Sequence, residues 1–386
     1  MGENSMRRFA VALLSLLPFL TPQATAARPD AVGDTIVLGQ SGVYSGPLGA
    51  YAADNHAVIH AYFDSVNAKG GVHGRKLKMV AIDDGFDPKR TIENAKTLIE
   101  KEKAFALFNV IGTANNAAIY PLVQEHGIPL VGPYTGAAVL RDTAKFRYLF
   151  FTRASYADET EKMVEQLVST GVKDIAIVYQ DDPFGKAGLQ AANEALARRQ
   201  LKPVAVGAFN IAKLEETAAA AEMVLKGQPA AVIIASSGKG TTSFIKEVVK
   251  RGQRPAFYCL SVTNPKQLWA DLGADAHGIV VAQVTPSPWR ASTPLIREYQ
   301  QTVAKAKLGP KDYSYGSLEG FIVAKVAVEA LRRAGKGLTR EKYLAALEGM
   351  QNYDLGGFAI GYSPDSHAGS AFVDLSIIGK DGQFLR

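Results

Sequence analysis

Few groupings in this chain have the residue types and spacing that catalysis needs. His56 and His60 stand four apart on a stretch of helical periodicity, which puts both imidazoles on one face. A zinc hydrolase with that spacing carries Glu beside its first His; here Ala57 takes that place, and no third ligand follows at motif spacing. Ser236-Ser237-Gly238-Lys239 has the S-x-x-K spacing of serine acylases, without a companion S-D-N or K-T-G element. In Gly238-Lys239-Gly240-Thr241 the earlier glycine of a phosphate loop is missing, and Gly follows Lys where Ser or Thr would have to reach Mg²⁺. Gly42-Val43-Tyr44-Ser45-Gly46 sets its serine one place late for a nucleophile elbow. Asp83-Asp84 and Asp181-Asp182 pair carboxylates with no nucleophile or base beside them; they orient a ligand or stabilise the helix that follows. Cys259, the single cysteine, lies in the apolar run Ala256–Leu260 and reads as a buried small hydrophobe. No enzyme, metal site or cofactor is expected.

What remains is binding chemistry, gathered in polar and aromatic loops. Gln40 to Gly46, Gly112 to Asn116 and Pro133 to Gly136 follow the first, third and fourth apolar runs. Farther on come Tyr156, Asp182 with Phe184, Ser236 to Gly238, and Ser261. Hydroxyls and backbone N–H groups of the Thr113 and Thr135 loops precede helices and suit a carboxylate or other anion. Tyr44, Tyr134, Tyr156 and Phe184 can wall an apolar or aromatic group.

These loops sit where a repeated strand–helix alternation puts them. Strands are expected over 35–39, 77–82, 105–110 and 128–131, with helices over 49–66, 88–102 and 117–125 between them. After Phe151 the rhythm restarts: helices over 159–170, 185–199, 215–226 and 242–252 alternate with strands over 175–179, 204–209, 230–235 and 256–260. Short, continuously apolar strands between helices predict parallel sheets covered on both faces. Ligands in such sheets bind at the carboxyl ends of the strands, where the loops above lie. Two blocks of this kind predict two doubly wound lobes, with the run Tyr148–Phe151 passing directly from one to the other. A long helical region over 295–347 and a β-rich tail over 358–378 complete the chain. The expected division is residues 27–149 with 285–356 in lobe 1 and 150–284 with 357–386 in lobe 2.

The chain has 386 residues, 47% hydrophobic and 21% charged, which is globular composition and excludes wholesale disorder. Its 43 basic and 37 acidic residues are spread along the chain, so no nucleic-acid-binding stripe is expected. Residues 1–26 read as a cleavable signal peptide: Arg7 and Arg8, an apolar stretch from Phe9 to Leu20, then Ala24-Thr25-Ala26. That stretch is shorter than the roughly 20 residues a membrane-spanning helix needs. The expected location is periplasmic.

One segment is specific to a family. Val66-Asn67-Ala68-Lys69-Gly70-Gly71-Val72-His73-Gly74-Arg75-Lys76-Leu77, followed by Asp83-Asp84-Gly85-Phe86-Asp87-Pro88, closely resembles the signature of the Leu/Ile/Val-type (type I) periplasmic solute-binding proteins of ABC importers. Gly112-Thr113, Ile128 to Pro133 and Tyr179 to Gly185 match in the expected order, so the resemblance runs from Asp34 to Leu385. It implies a Venus-flytrap fold whose two lobes are joined by a three-strand hinge, with a small-molecule ligand, an inner-membrane ABC permease as partner, a monomer and no catalysis. The family's ligand loops match Thr113-Ala114-Asn115 and Tyr134-Thr135-Gly136 here. Its second-lobe aromatic residue, and the acid that pairs with an amino-acid ammonium, fall at Gly238 and Ser261, and no acid lies between Phe257 and Lys266. A buried ammonium without a carboxylate is poorly compensated. The expected ligand is therefore an amino acid or an aromatic or aliphatic carboxylate, captured by cleft closure. A ligand-sensing co-receptor of the same fold is the alternative.

Overall fold

The computed structural model describes residues 33–45, 49–309 and 312–385, with the side chains of 49–54 left aside. The expected signal peptide lies outside the described residues.

The first sheet has five parallel strands: β1 (Thr35–Gly42), β2 (Lys76–Asp83), β3 (Ala106–Phe108), β4 (Leu130–Val131) and β5 (Leu149–Phe150), in the order β2-β1-β3-β4-β5. Helices α1 (Gly49–Ala68), α2 (Pro88–Lys96) and α3 (Thr113–Glu125) make its crossovers. The second sheet takes β6 (Ile175–Gln180), β7 (Val206–Phe209), β8 (Ala231–Ala235), β9 (Ala256–Cys259) and β10 (Val280–Gln283), all parallel. Its helices are α4 (Tyr156–Ser169), α5 (Pro183–Ala197), α6 (Thr217–Leu225), α7 (Gly238–Lys250) and α8 (Pro265–Leu272).

The chain then returns to the first lobe. The helical region expected over 295–347 is three helices, α9 (Pro294–Lys305), α10 (Tyr315–Ala334) and α11 (Arg340–Glu348). They pack with α1 on one face of the first sheet, in a core that includes Phe63, Phe108, Tyr299, Phe321 and Tyr343. Helix α2 with the π-helical turn that continues it (Thr97–Lys101), and α3, cover the other face through Ala95, Leu98, Ile119 and Val123. A small ribbon, β11 (Tyr353–Asp354) with β12 (Ala359–Ile360), precedes a last crossing. Then β13 (Asp374–Ile378) joins the second sheet antiparallel to β10, and β14 (Phe384–Leu385) closes its edge. The lobes are thus linked after β5, after β10 and after β12. This is the type I periplasmic-binding-protein architecture, two doubly wound lobes on a three-strand hinge.

Local chemistry explains where the helices begin. Asp87, Asp182 and Asn264 cap α2, α5 and α8, each followed by a proline whose missing N–H costs nothing in a first turn. Ser155 and Asp158 form a reciprocal capping box at α4. Four expected helices start earlier than their apolar periodicity indicates: α3 at Thr113 and α7 at Gly238 begin directly at strand-end loops, as do α4 and α5. The eight-residue α8 was not anticipated at all.

Candidate functional site

Between the carboxyl ends of the two sheets lies a cleft of about 770 Å³, open mouth included. The first lobe supplies Val43 at the end of β1, Phe86, Ile111 to Thr113 at the start of α3, and Tyr134 after β4. From the second lobe come Tyr156 and Phe184 at the starts of α4 and α5, and Ser237, Gly238 and Thr242 around the start of α7. Its α8 end adds Val262 to Asn264, Gln267 and Leu268. Among the described residues, no lining residue is charged. The polar groups are hydroxyls, amides and backbone.

Two helix N-termini face each other here without side-chain caps. The residue before α3 is Gly112, at φ 104°, and the one before α7 is Ser237; neither end has a side-chain cap bond. Gly112 is required: a Cβ there would sit 2.7 Å from Asn115 Oδ1 and 2.8 Å from the Phe86 ring. Uncapped N-termini present N–H groups and a positive dipole end, which suits a negatively charged group. Tyr156 and Phe184 meet edge to face, centroids 5.3 Å apart, as an aromatic wall. Val262 reaches across to pack on the first-lobe cluster of Val43, Ile111 and Tyr134, so the walls touch.

Of the sequence-predicted site residues, Thr113, Tyr134, Tyr156, Phe184 and Gly238 line the cleft. Thr135 stands just behind, its hydroxyl 2.7 Å from that of Thr113. Gly136 accepts a 2.8 Å bond from the Tyr156 N–H where the lobes meet. Ala114 is half-buried in the first turn of α3, off the lining. Asn115 turns away to donate to Thr91, 2.7 Å distant. Tyr44 is half-buried at the cleft's edge; its hydroxyl binds Gln40 and lies 3.1 Å from His56 Nδ1. Ser261 lies beneath the lining, bonded to Glu159 through its N–H at 2.7 Å and its hydroxyl at 2.8 Å.

Below Tyr134 is a charged cluster that the sequence did not reveal. Arg153, wholly buried in the first crossover, has Nη2 3.6 Å from Glu159 on α4 and bonded to the Ser261 hydroxyl. Its Nη1 lies 3.6 Å from Glu319 on α10, and its guanidinium carbon sits 4.5 Å from the Tyr134 ring centroid. Burial opposes the charge on Arg153, but Glu319, Tyr134 and Glu159 together hold its pKa above the ordinary value. Burial also pushes both carboxyls up, Glu319 to about 7 against the pull of Arg153. Arg141, buried beside the cluster and donating to the carbonyls of Arg153 and Ala154, is pushed down to about 10 by burial and by Arg153.

The other candidate groupings have structural partners. Asp84 is buried and accepts from Ser41 and Thr91, while Asp83 accepts from Tyr44, Ser45, Gly85 and Arg90. Ser236 donates to Gln180 and Lys239 pairs with Asp271, so no serine–lysine couple forms. Among the described residues, no group of three or more His, Cys, Asp or Glu is placed to hold a metal, and no helix is long and apolar enough to cross a membrane.

Comparison with known proteins agrees with this geometry. A family model described as periplasmic binding protein matches residues 35–382. The chain is 23% identical over 345 residues to a Leu/Ile/Val-binding protein homolog of Brucella suis, covering 85% of this chain and 84% of that one. A possible leucine/isoleucine/valine-binding protein from Rhodopirellula baltica superposes at TM-score 0.85 with 30% identity, over 94% of this chain and 98% of the other. An ABC-transporter solute-binding protein from R. palustris, in complex with 4-hydroxybenzoate, superposes at TM-score 0.80 with 20% identity, over 91% and 95%. The chain belongs to the periplasmic binding protein family, among relatives of the Leu/Ile/Val-binding type.

Proposed function

We propose that this protein captures a small organic carboxylate, aromatic or aliphatic, by closing its two lobes over it in the periplasm, and delivers it to an ABC-type permease. The observation that carries this reading is the lining itself, which among the described residues is apolar and aromatic with hydroxyls, amides and two uncapped helix N-termini but no charged side chain. A carboxylate finds N–H donors at those ends, and its hydrocarbon part finds Tyr156, Phe184 and Leu268. An ammonium finds no carboxylate on the wall, and the two buried ones beneath, Glu159 and Glu319, already share Arg153. Leaving such a charge uncompensated is costly. Relatives named for Leu, Ile and Val keep an amino acid as the second reading.

The test is a thermal-shift panel of benzoates, aliphatic carboxylates, amides and the common amino acids. A ligand at a hundred times its Kd stabilises by about 2.7 kcal/mol. Shifts with non-amino carboxylates are expected; shifts confined to amino acids would overturn the reading. Loss of uptake of the same compound in a deletion strain tests delivery. Intact uptake with lost signalling would favour a sensor.

A further inference from the structure

We propose that Arg153 is the positioning residue of this cleft, a guanidinium lodged between a carboxyl group of each lobe that holds Tyr134 in the wall and fastens the lobes when they are shut. The proposal rests on the solute-capture reading only in taking the cleft to open and shut.

The observation is where the partners come from. Glu159 and Ser261 belong to the second lobe, on α4 and after β9; Glu319 and Tyr134 belong to the first, on α10 and after β4. Arg153 itself stands in the crossover between β5 and α4, so it is part of the hinge and touches both sides. The two sides are not alike. Toward the second lobe the side chain has the Ser261 hydroxyl, and Ser261 in turn fixes Glu159 with two hydrogen bonds. Toward the first lobe it has a 3.6 Å contact with the Glu319 carboxyl and the face of Tyr134. Opening the cleft therefore parts Arg153 from Glu319 and Tyr134 first and leaves the Glu159 pair intact. Tyr134 is the one member of the cluster that also lines the cleft, so a ligand pressing on its ring bears directly on the fastening.

Two carboxylates facing one guanidinium also give the closure a pH dependence. Glu319 is faced by Arg153 of the crossover, Glu159 of α4, and Tyr134 and Arg141 of the loop after β4. Helix α1, packed on α10, brings the uncharged Asn55 against Gly320. In the shut form burial holds the Glu319 carboxyl near 7; opening hydrates it and returns it toward the ordinary value of about 4.3. Shutting then takes up a proton on Glu319, so that the one guanidinium keeps one ionised carboxylate, Glu159, with a neutral Glu319 on its first-lobe side. Closure is fully favoured below the lower value, weakens by up to about tenfold per pH unit as pH rises toward 7, and levels off above it.

The experiment compares wild type, Glu319→Gln, Arg153→Met and Arg153→Lys by small-angle scattering without ligand and by calorimetric titration with benzoate and hexanoate. Both are done at about pH 6 and about pH 8. Wild type is expected to be more compact, and to bind either probe several-fold more tightly, at the lower pH. Glu319→Gln should lose that dependence while staying compact. Arg153→Met should expand at both pH values and bind at least tenfold more weakly, with Arg153→Lys between it and wild type. Glu319→Gln retaining the full pH dependence overturns the proposal, as does Arg153→Met matching wild type in both readouts. If Arg153→Met does not fold, Glu319→Gln decides alone. A scattering response without binding of any panel compound counts against the solute reading and leaves Arg153 standing; binding without the scattering response does the reverse.

Discussion

The carbonyl of Gly136 accepts the backbone N–H of Tyr156 at 2.8 Å, and a Cβ on Gly136 would lie 2.6 Å from the Tyr156 ring. The loop that follows β4 and the first turn of α4 therefore meet with no room for a side chain. Gly136→Ala is expected to push this junction apart, at a cost of about 1–3 kcal/mol, as overpacking usually does. Its melting temperature should fall, and the ligand-induced shift should shrink with it because Tyr156 lines the cleft. An unchanged melt would mean that the junction yields freely.

Ser261→Glu tests the second lobe. The family resemblance places Ser261 where amino-acid binders carry an acid, yet here Glu159 already fills that neighbourhood and holds both Ser261 donors. A third carboxylate around one guanidinium should destabilise the fold by roughly 3 kcal/mol or more, since it would be buried without its own partner. The expected result is a lower melting temperature and no gain of affinity for leucine. A gain for leucine would show that the glutamate reaches the cleft.

Cys259 closes β9 in the core, and burial pushes its thiol up to about 12. The native protein should leave a thiol reagent unreacted at mildly alkaline pH and titrate one thiol after denaturation. Reaction in the native state would mean that the second sheet opens locally, since thiolate and access are both needed.

Trp289 gives closure an optical signal. It lies in the second crossover, stacked 5.1 Å from Phe384 of β14 and edge-on 5.3 Å from Tyr315 at the start of α10. With two tryptophans in the chain, Trp269→Phe leaves it as the sole tryptophan, to be excited selectively over the tyrosines. Adding hexanoate should change its emission in proportion to binding measured by calorimetry. A constant spectrum with proven binding would place the hinge motion elsewhere.

The sequence was most legible where one local rule sufficed. Alternation of apolar strands and periodic helices yields both sheets, because each strand of a parallel sheet is apolar throughout. Pro88 suits the first turn of the helix expected over 88–102, and the cap-and-proline pair Asn264-Pro265 is the available signal for α8. It went unread because eight residues carry little periodicity, and the cleft residues Thr263, Asn264, Gln267 and Leu268 went with it. The Arg153 cluster could not be found in this way. Arg153 and Glu159 are near neighbours in the chain, but Ser261 and Glu319 are far from both, and each of the three charged residues reads as a solvent-facing charge. A faint signal is that Glu319 stands between Leu318 and the apolar run Phe321–Ala324, where a buried carboxylate needs a partner.

The routing of the chain between lobes also bears on how it is made. The first sheet is complete at residue 150, but its outer face waits for α9 to α11, and the second sheet lacks β13 and β14 until residue 385. The first lobe cannot bury its core until the returning segment as far as Tyr362 has been made, whereas the buried clusters of the second lobe lie almost wholly before residue 284. Pairing of segments so distant in sequence is slow, so the newly made first lobe should stay loosely packed and receptive to chaperones until its returning helices are free.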